Sequence, residues 1–210
     1  MLRKFLLSLI LSTGPVFADP VKIAALGDSL THGFGLVPDQ GFVPQLERWL
    51  VDQGADVALV NAGVSGDTTT GGAARVGWTL TPDVDALIVA LGGNDLLRGI
   101  DPDVSRANIR TILEAAGAAD VPVLLVGMEA PGNYGPDYKQ AFDAIYPELA
   151  AEFQAVYAEN FFLGLMGETR DPAALRPFMQ ADGIHPNAQG VTEIVEGLGP
   201  FVMTLIERVK

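Results

Sequence analysis

Four short stretches of this chain carry side chains whose types and spacing suit acyl transfer. They are Gly27-Asp28-Ser29-Leu30, Asn61-Ala62-Gly63, Gly92-Gly93-Asn94-Asp95 and Asp182-Gly183-Ile184-His185-Pro186. Ser29 offers a hydroxyl nucleophile and His185 an imidazole base. Asp182 lies three residues before His185, with Gly183 between them to permit a sharp turn. Its carboxylate can fold back on one ring nitrogen and leave the other to take the serine proton. Gly63 can present a backbone N–H with no side chain in the way, and Asn94 a side-chain amide, as two donors for an oxyanion. Each stretch also has a plainer reading. Ser29 or Asp28 can cap a helix, as can Asn94; Gly63 can serve a turn, and His185 a structural loop before Pro186. Asp67 and Asp95 read as caps or loop supports rather than catalysts. The G-x-S-x-G elbow is missing around Ser29.

The elements that must hold these residues alternate between compact apolar runs and helical periods, the pattern of a parallel sheet wrapped by helices. Strands are expected at 21–26, 57–60, 86–91, 121–128 and 160–163. Helices are expected at 40–53, more weakly at 68–78, at 103–119, and at 137–157 with a possible break at Tyr146-Pro147. The terminal segment carries Val191, Ile194, Val195, Leu198, Val202, Leu205 and Ile206 as an apolar stripe, which Gly199-Pro200 should kink or split. Three of the four chemical stretches then follow directly on strands, where α/β sheets bind ligands.

Composition narrows the function further. Residues 1–18 combine Arg3 and Lys4, a short apolar stretch and Val16-Phe17-Ala18, which reads as a signal peptide followed by a single domain over 19–210. The apolar stretch is too short for a membrane span. Export to the periplasm or beyond is therefore expected, with no stable membrane insertion once the leader is gone. The chain has no cysteine, so neither disulfides nor a lipidated N-terminal cysteine are expected. With only two histidines and no thiolates, neither a metal site nor any other cofactor is expected. Loss of the leader removes two of 13 basic residues and none of 26 acidic ones, so the net charge of −13 becomes −15. Such a surface repels nucleic acid and anionic membranes.

Taken in order, these stretches resemble the SGNH, or GDSL, hydrolases. Ser65-Gly66-Asp67-Thr68, Leu91-Gly92-Gly93-Asn94-Asp95, Asn133-Tyr134-Gly135 and Ile145-Tyr146-Pro147 are similar to the periplasmic branch of multifunctional thioesterases, lysophospholipases and arylesterases. The resemblance implies a flavodoxin-like three-layer α/β/α sandwich around a parallel sheet of about five strands. It implies Ser29 as nucleophile and His185 as base oriented by Asp182, with an oxyanion hole from the Ser29 N–H, the Gly63 N–H and the Asn94 side chain. It also implies hydrolysis of small ester or thioester substrates by way of an acyl-enzyme, with the loop 128–138 shaping the acyl pocket; a monomer is expected. His32 departs from the family pattern; three positions after Ser29 it could line the site or act as a spurious base, but it is expected at the surface or rim. Two rival readings are a carbohydrate O-acetyl esterase and, from another class, a non-catalytic flavodoxin-like binding module.

Overall fold

The structure, a computed structural model, describes residues 19–166 and 172–209; the expected leader lies outside them. Its elements, in chain order, begin with β1 (Val21–Gly27), α1 (Ser29–His32), α2 (Phe42–Asp52), β2 (Val57–Gly63), α3 (Thr69–Thr79) and β3 (Ala86–Ala90). There follow α4 (Gly93–Arg98), α5 (Pro102–Ala118), β4 (Val123–Val126), α6 (Pro136–Asp143), α7 (Ile145–Glu152), β5 (Val156–Ala158), α8 (Leu163–Met166) and α9 (Ala188–Ile206). The strands form one parallel sheet in the order β2-β1-β3-β4-β5, the flavodoxin-like order. The β3 and β4 strands are buried along their whole length, as both faces of the sheet are covered. The chain moves one way from β1 to β2 and back again to β3. Right-handed crossovers therefore put α2 and α3 on opposite faces, where α2 packs on α9 and α3 on α5.

Three sequence expectations need correction. The fifth strand is Val156–Ala158, not 160–163. Gln154 turns the chain at φ 54°, which ends the preceding helix before the run Val156-Tyr157-Ala158. Phe161 instead fills the core against Phe42, with ring centroids 5.1 Å apart. The break expected at Tyr146-Pro147 in the helix over 137–157 falls instead at Ala144, between α6 and α7. Pro147 has no N–H to give the carbonyl of Asp143, so a continuous helix loses a bond there, whereas the third position of a new helix needs no partner. The terminal helix is not split: α9 runs through Pro200, because Val191, Ile194, Val195, Leu198, Val202 and Leu205 stay buried on both sides of it. Their combined burial outweighs the ~3 kcal/mol that an interior proline costs.

The sheet brings distant stretches together. Gly27 at the end of β1 pairs with Gly63 on one side and Ala90 on the other. The residues that follow these strands share one edge, at the point where the chain leaves β1 for both flanks.

Candidate active site

The site is built from the strand ends upward. Beyond β1, the Asp28 side chain caps α1 by accepting from Leu30 N at 3.0 Å, and Ser29 is the first helical residue. Beyond β3, Gly92 turns at φ 119°, a conformation open to glycine, and a Cβ there would lie 2.0 Å from the Tyr146 hydroxyl. That turn delivers Asn94 into the first turn of α4. Beneath it Asp95, fully buried, accepts from the Thr69 N–H at 2.9 Å, the Thr69 hydroxyl at 2.5 Å and the Ser105 hydroxyl at 2.8 Å. It thereby ties α4 to α3 and α5, the supporting role expected of it.

His185 arrives from the other end of the chain. Asp182 Oδ1 accepts from the backbone N–H of Ile184 at 2.9 Å and of His185 at 3.0 Å, closing a tight loop with Gly183 at φ 68°. Asp182 Oδ2 lies 2.7 Å from His185 Nδ1, and His185 Nε2 lies 2.9 Å from Ser29 Oγ. The His185 hydrogen bond, then those two backbone N–H groups, hold the Asp182 carboxyl down at about 2. It is thus ionised and accepts only, so Nδ1 carries the ring proton and Nε2 is left to accept from the Ser29 hydroxyl. The Phe34 ring lies against the imidazole, centroids 4.6 Å apart.

Of the two oxyanion donors expected besides the Ser29 N–H, Asn94 shares a cavity with Ser29 and His185, and its Nδ2 donates to Asp28 Oδ2 at 3.3 Å. Gly63 ends β2 against α1, and its N–H donates to the Asn61 side-chain oxygen at 3.0 Å. A Cβ at Gly63 would lie 2.4 Å from the His32 nitrogen, so only glycine allows this approach. His32 is exposed, outside the cavity lining, with Nδ1 3.1 Å from Ser65 Oγ. It is a surface residue, as expected, rather than part of the site.

The cavity measures about 540 Å³. Its walls are mainly apolar: Leu30, Phe34, Leu96, Leu97, Met128, Pro131, Tyr134, Phe162 and Ile184, beside the polar group of Ser29, His185 and Asn94. Met128, Glu129, Pro131, Asn133 and Tyr134 come from the loop expected to lie there.

Two supports were not foreseen from the sequence. Arg75, on α3, donates to Ala62 O at 2.6 Å, to Gly27 O at 2.9 Å and to Asp67 at 2.7 Å, pinning the ends of β1 and β2. Gln180 Nε2 donates to Phe34 O at 2.8 Å and Pro186 O at 3.0 Å, bracing the loop after α1 against the histidine loop. No local pattern marks either residue, since Gln180 reaches 146 positions back along the chain.

The geometry has counterparts among known proteins. The family described as GDSL-like lipase/acylhydrolase matches residues 25–192. The chain is 37% identical to esterase TesA of Pseudomonas aeruginosa over 95% of its own length and 96% of that protein. It is 35% identical to the thioesterase 1/protease 1/lysophospholipase L1 of Escherichia coli, covering 96% of this chain and 92% of that one. A crystal structure of TesA superposes with a TM-score of 0.77 at 36% identity, over 88% of this chain and 99% of the other.

Proposed function

Because the chain belongs to the GDSL-like lipase/acylhydrolase family and is an ester hydrolase, we propose that Ser29, His185 and Asp182 are its catalytic residues, in a single domain over 19–210. The observation that carries this reading is the unbroken chain of hydrogen bonds from Asp182 through His185 to Ser29, opening on an apolar cavity. Ser29 Oγ attacks the carbonyl carbon of the ester while His185 Nε2 takes its proton. Asp182 stabilises the imidazolium without itself becoming protonated. Collapse of the tetrahedral intermediate expels the alcohol or thiol, which leaves with the proton from Nε2. Water then attacks the acyl-enzyme by the same route and frees the acid and the serine.

The oxyanion is held by the Ser29 N–H, the Asn94 side chain and the Gly63 N–H. The first of these has no intrahelical partner at the start of α1. In the free protein the Gly63 proton is engaged by Asn61, so an oxyanion shares or takes it as charge develops. The acyl chain lies along the apolar wall, with the loop 128–138 forming one side. That wall favours aryl and short-to-medium acyl esters, acyl thioesters and lysophospholipids over acetylated carbohydrate, whose sugar offers little to Leu96, Leu97 and Phe162. The protein works as a monomer in the periplasm or outside the cell. No helix among the described residues is long and apolar enough to cross a membrane.

Labelling with a fluorophosphonate probe, alongside p-nitrophenyl esters of increasing chain length, tests the reading. Wild type is expected to label and turn over, and Ser29→Ala and His185→Ala to fall to background. Full activity in either variant would overturn the assignment.

A further inference from the structure

Asp28 lies between the nucleophile and Asn94, and no step above uses it. Its side chain is 2% exposed. Oδ1 accepts from Leu30 N at 3.0 Å and Oδ2 from Asn94 Nδ2 at 3.3 Å. The backbone makes room for this second contact: a Cβ on Gly93 would stand 3.2 Å from Oδ2. Capping α1 does not by itself require a buried carboxylate, because serine or threonine caps a helix about as well without burying a charge. A carboxylate beside a developing oxyanion is also electrostatically unfavourable. Its presence calls for a compensating role, and the contact with Asn94 supplies one.

A primary amide turns about its last torsion and can present either its oxygen or its NH₂ to the cavity. An oxygen facing an oxyanion would repel it. An ionised carboxylate accepts hydrogen bonds and donates none, so it selects the orientation in which NH₂ faces it. One N–H is then spent on the carboxylate and the other is aimed at the substrate. Burial, the dominant influence, raises the Asp28 carboxyl to about 6 against the pull of Leu30 and Asn94, which leaves it mainly ionised at neutral pH.

We propose that Asp28 is a positioning residue that acts through Asn94, with Oδ2 holding one Nδ2 proton so that the other points at the oxyanion. This rests on the oxyanion role given to Asn94 above. The preorganisation it provides belongs to the transition state, so its loss appears in kcat and not in KM.

The test is a double-mutant cycle on a p-nitrophenyl ester with Asp28→Asn, Asn94→Ala and the pair combined. Asp28→Ser runs beside them, because serine keeps the cap on Leu30 but is too short to reach Asn94. Asn94→Ala is expected to lose on the order of 10²–10³ in kcat. Asp28→Asn and Asp28→Ser are each expected to lose about 10- to 100-fold in kcat, with KM nearly unchanged. The combined variant is expected to fall no further than Asn94→Ala alone, within about twofold. Wild-type kcat in a folded Asp28 variant, or losses that multiply in the combined one, would overturn the proposal. If Asp28→Asn fails to fold, Asp28→Ser and its combination with Asn94→Ala give the same reading. Full activity in Asn94→Ala would sink the oxyanion assignment itself. A slow Asn94→Ala beside a fully active Asp28→Asn would sink the positioning role alone.

Discussion

Asp182 and Asp28 are both carboxylates within reach of the reacting groups, yet their surroundings push them in opposite directions. Hydrogen bonds from His185 and Ile184 hold Asp182 at about 2. Its folded value lies below that of the unfolded chain, so its contribution to stability is present above the ordinary carboxylate range and disappears as pH falls toward 2. The acid limb of the kcat/KM profile is therefore not expected to come from Asp182. Asp182→Asn can present an NH₂ where Nδ1–H needs an acceptor, and is expected to lower kcat by about 10³–10⁴ at neutral pH, as loss of the right tautomer does in serine proteases. Asp28 behaves the other way, because burial raises it to about 6. The folded protein binds that proton more tightly than the unfolded chain, so stability declines as pH rises from the ordinary carboxylate range through about 6, then levels off. In melting experiments, Asp28→Asn is expected to gain on wild type between about pH 4 and pH 7, by at most about 3 kcal/mol. A difference independent of pH would show that Asp28 is not the titrating group.

Loops decide how well the catalytic groups meet, and two of them invite a test. Gln180 joins the carbonyls of Phe34 and Pro186 through its side chain, while its own backbone N–H donates to His185 O at 2.7 Å. Gln180→Ala removes the first two bonds and keeps the third. Its partly exposed position limits the stability cost to about 1 kcal/mol per lost bond, but a looser Ser29–His185 distance is expected to reduce kcat about tenfold. A variant with wild-type kcat would show that the loops are braced by other contacts. The loop after β4 is anchored by Tyr138, whose hydroxyl donates to Ile100 O at 2.8 Å, and Tyr134 packs tilted against that ring, centroids 4.9 Å apart, while facing the cavity. Tyr134→Ala is expected to change the ranking of p-nitrophenyl esters by acyl length while leaving the acetate ester nearly as fast. An unchanged ranking would remove this loop from the acyl pocket.

Across the whole molecule the dominant feature is acidity, with a net charge of −13. Few exposed cations offset it. Arg110 pairs with Glu152, Arg106 with Glu148, and Lys139 with Glu129 and Asp143. Such surface pairs add little each, so self-repulsion among the remaining acids opposes compactness. At ~0.15 M salt the screening length falls to about 8 Å, and most repulsion between separated surface charges is suppressed. The melting temperature is therefore expected to rise by several degrees from low salt to physiological salt, a change that calorimetry reads directly. A falling melting temperature would place the dominant charge effect in attractive pairs instead.

The sequence by itself determined the alternation of strand and helix, the four chemical stretches and their order, and the Asp182–His185 turn. These are local: periodicity, proline and glycine act over a few residues, and a carboxylate three positions from an imidazole needs only a turn to meet it. It misplaced the fifth strand and the break between α6 and α7, because Phe161 was free to serve strand or core and the proline constrains a helix only once its start is known. Only the tertiary structure decided what brings Ser29 within 2.9 Å of His185 Nε2, 156 positions away, and what sets Asp28 against Asn94. Arg75 and Gln180 owe their roles to backbone carbonyls of other segments, which every residue carries and no pattern distinguishes. Parallel pairing of β1 with both β2 and β3 creates those neighbours, and that pairing joins parts of the chain too far apart for any local signal to report.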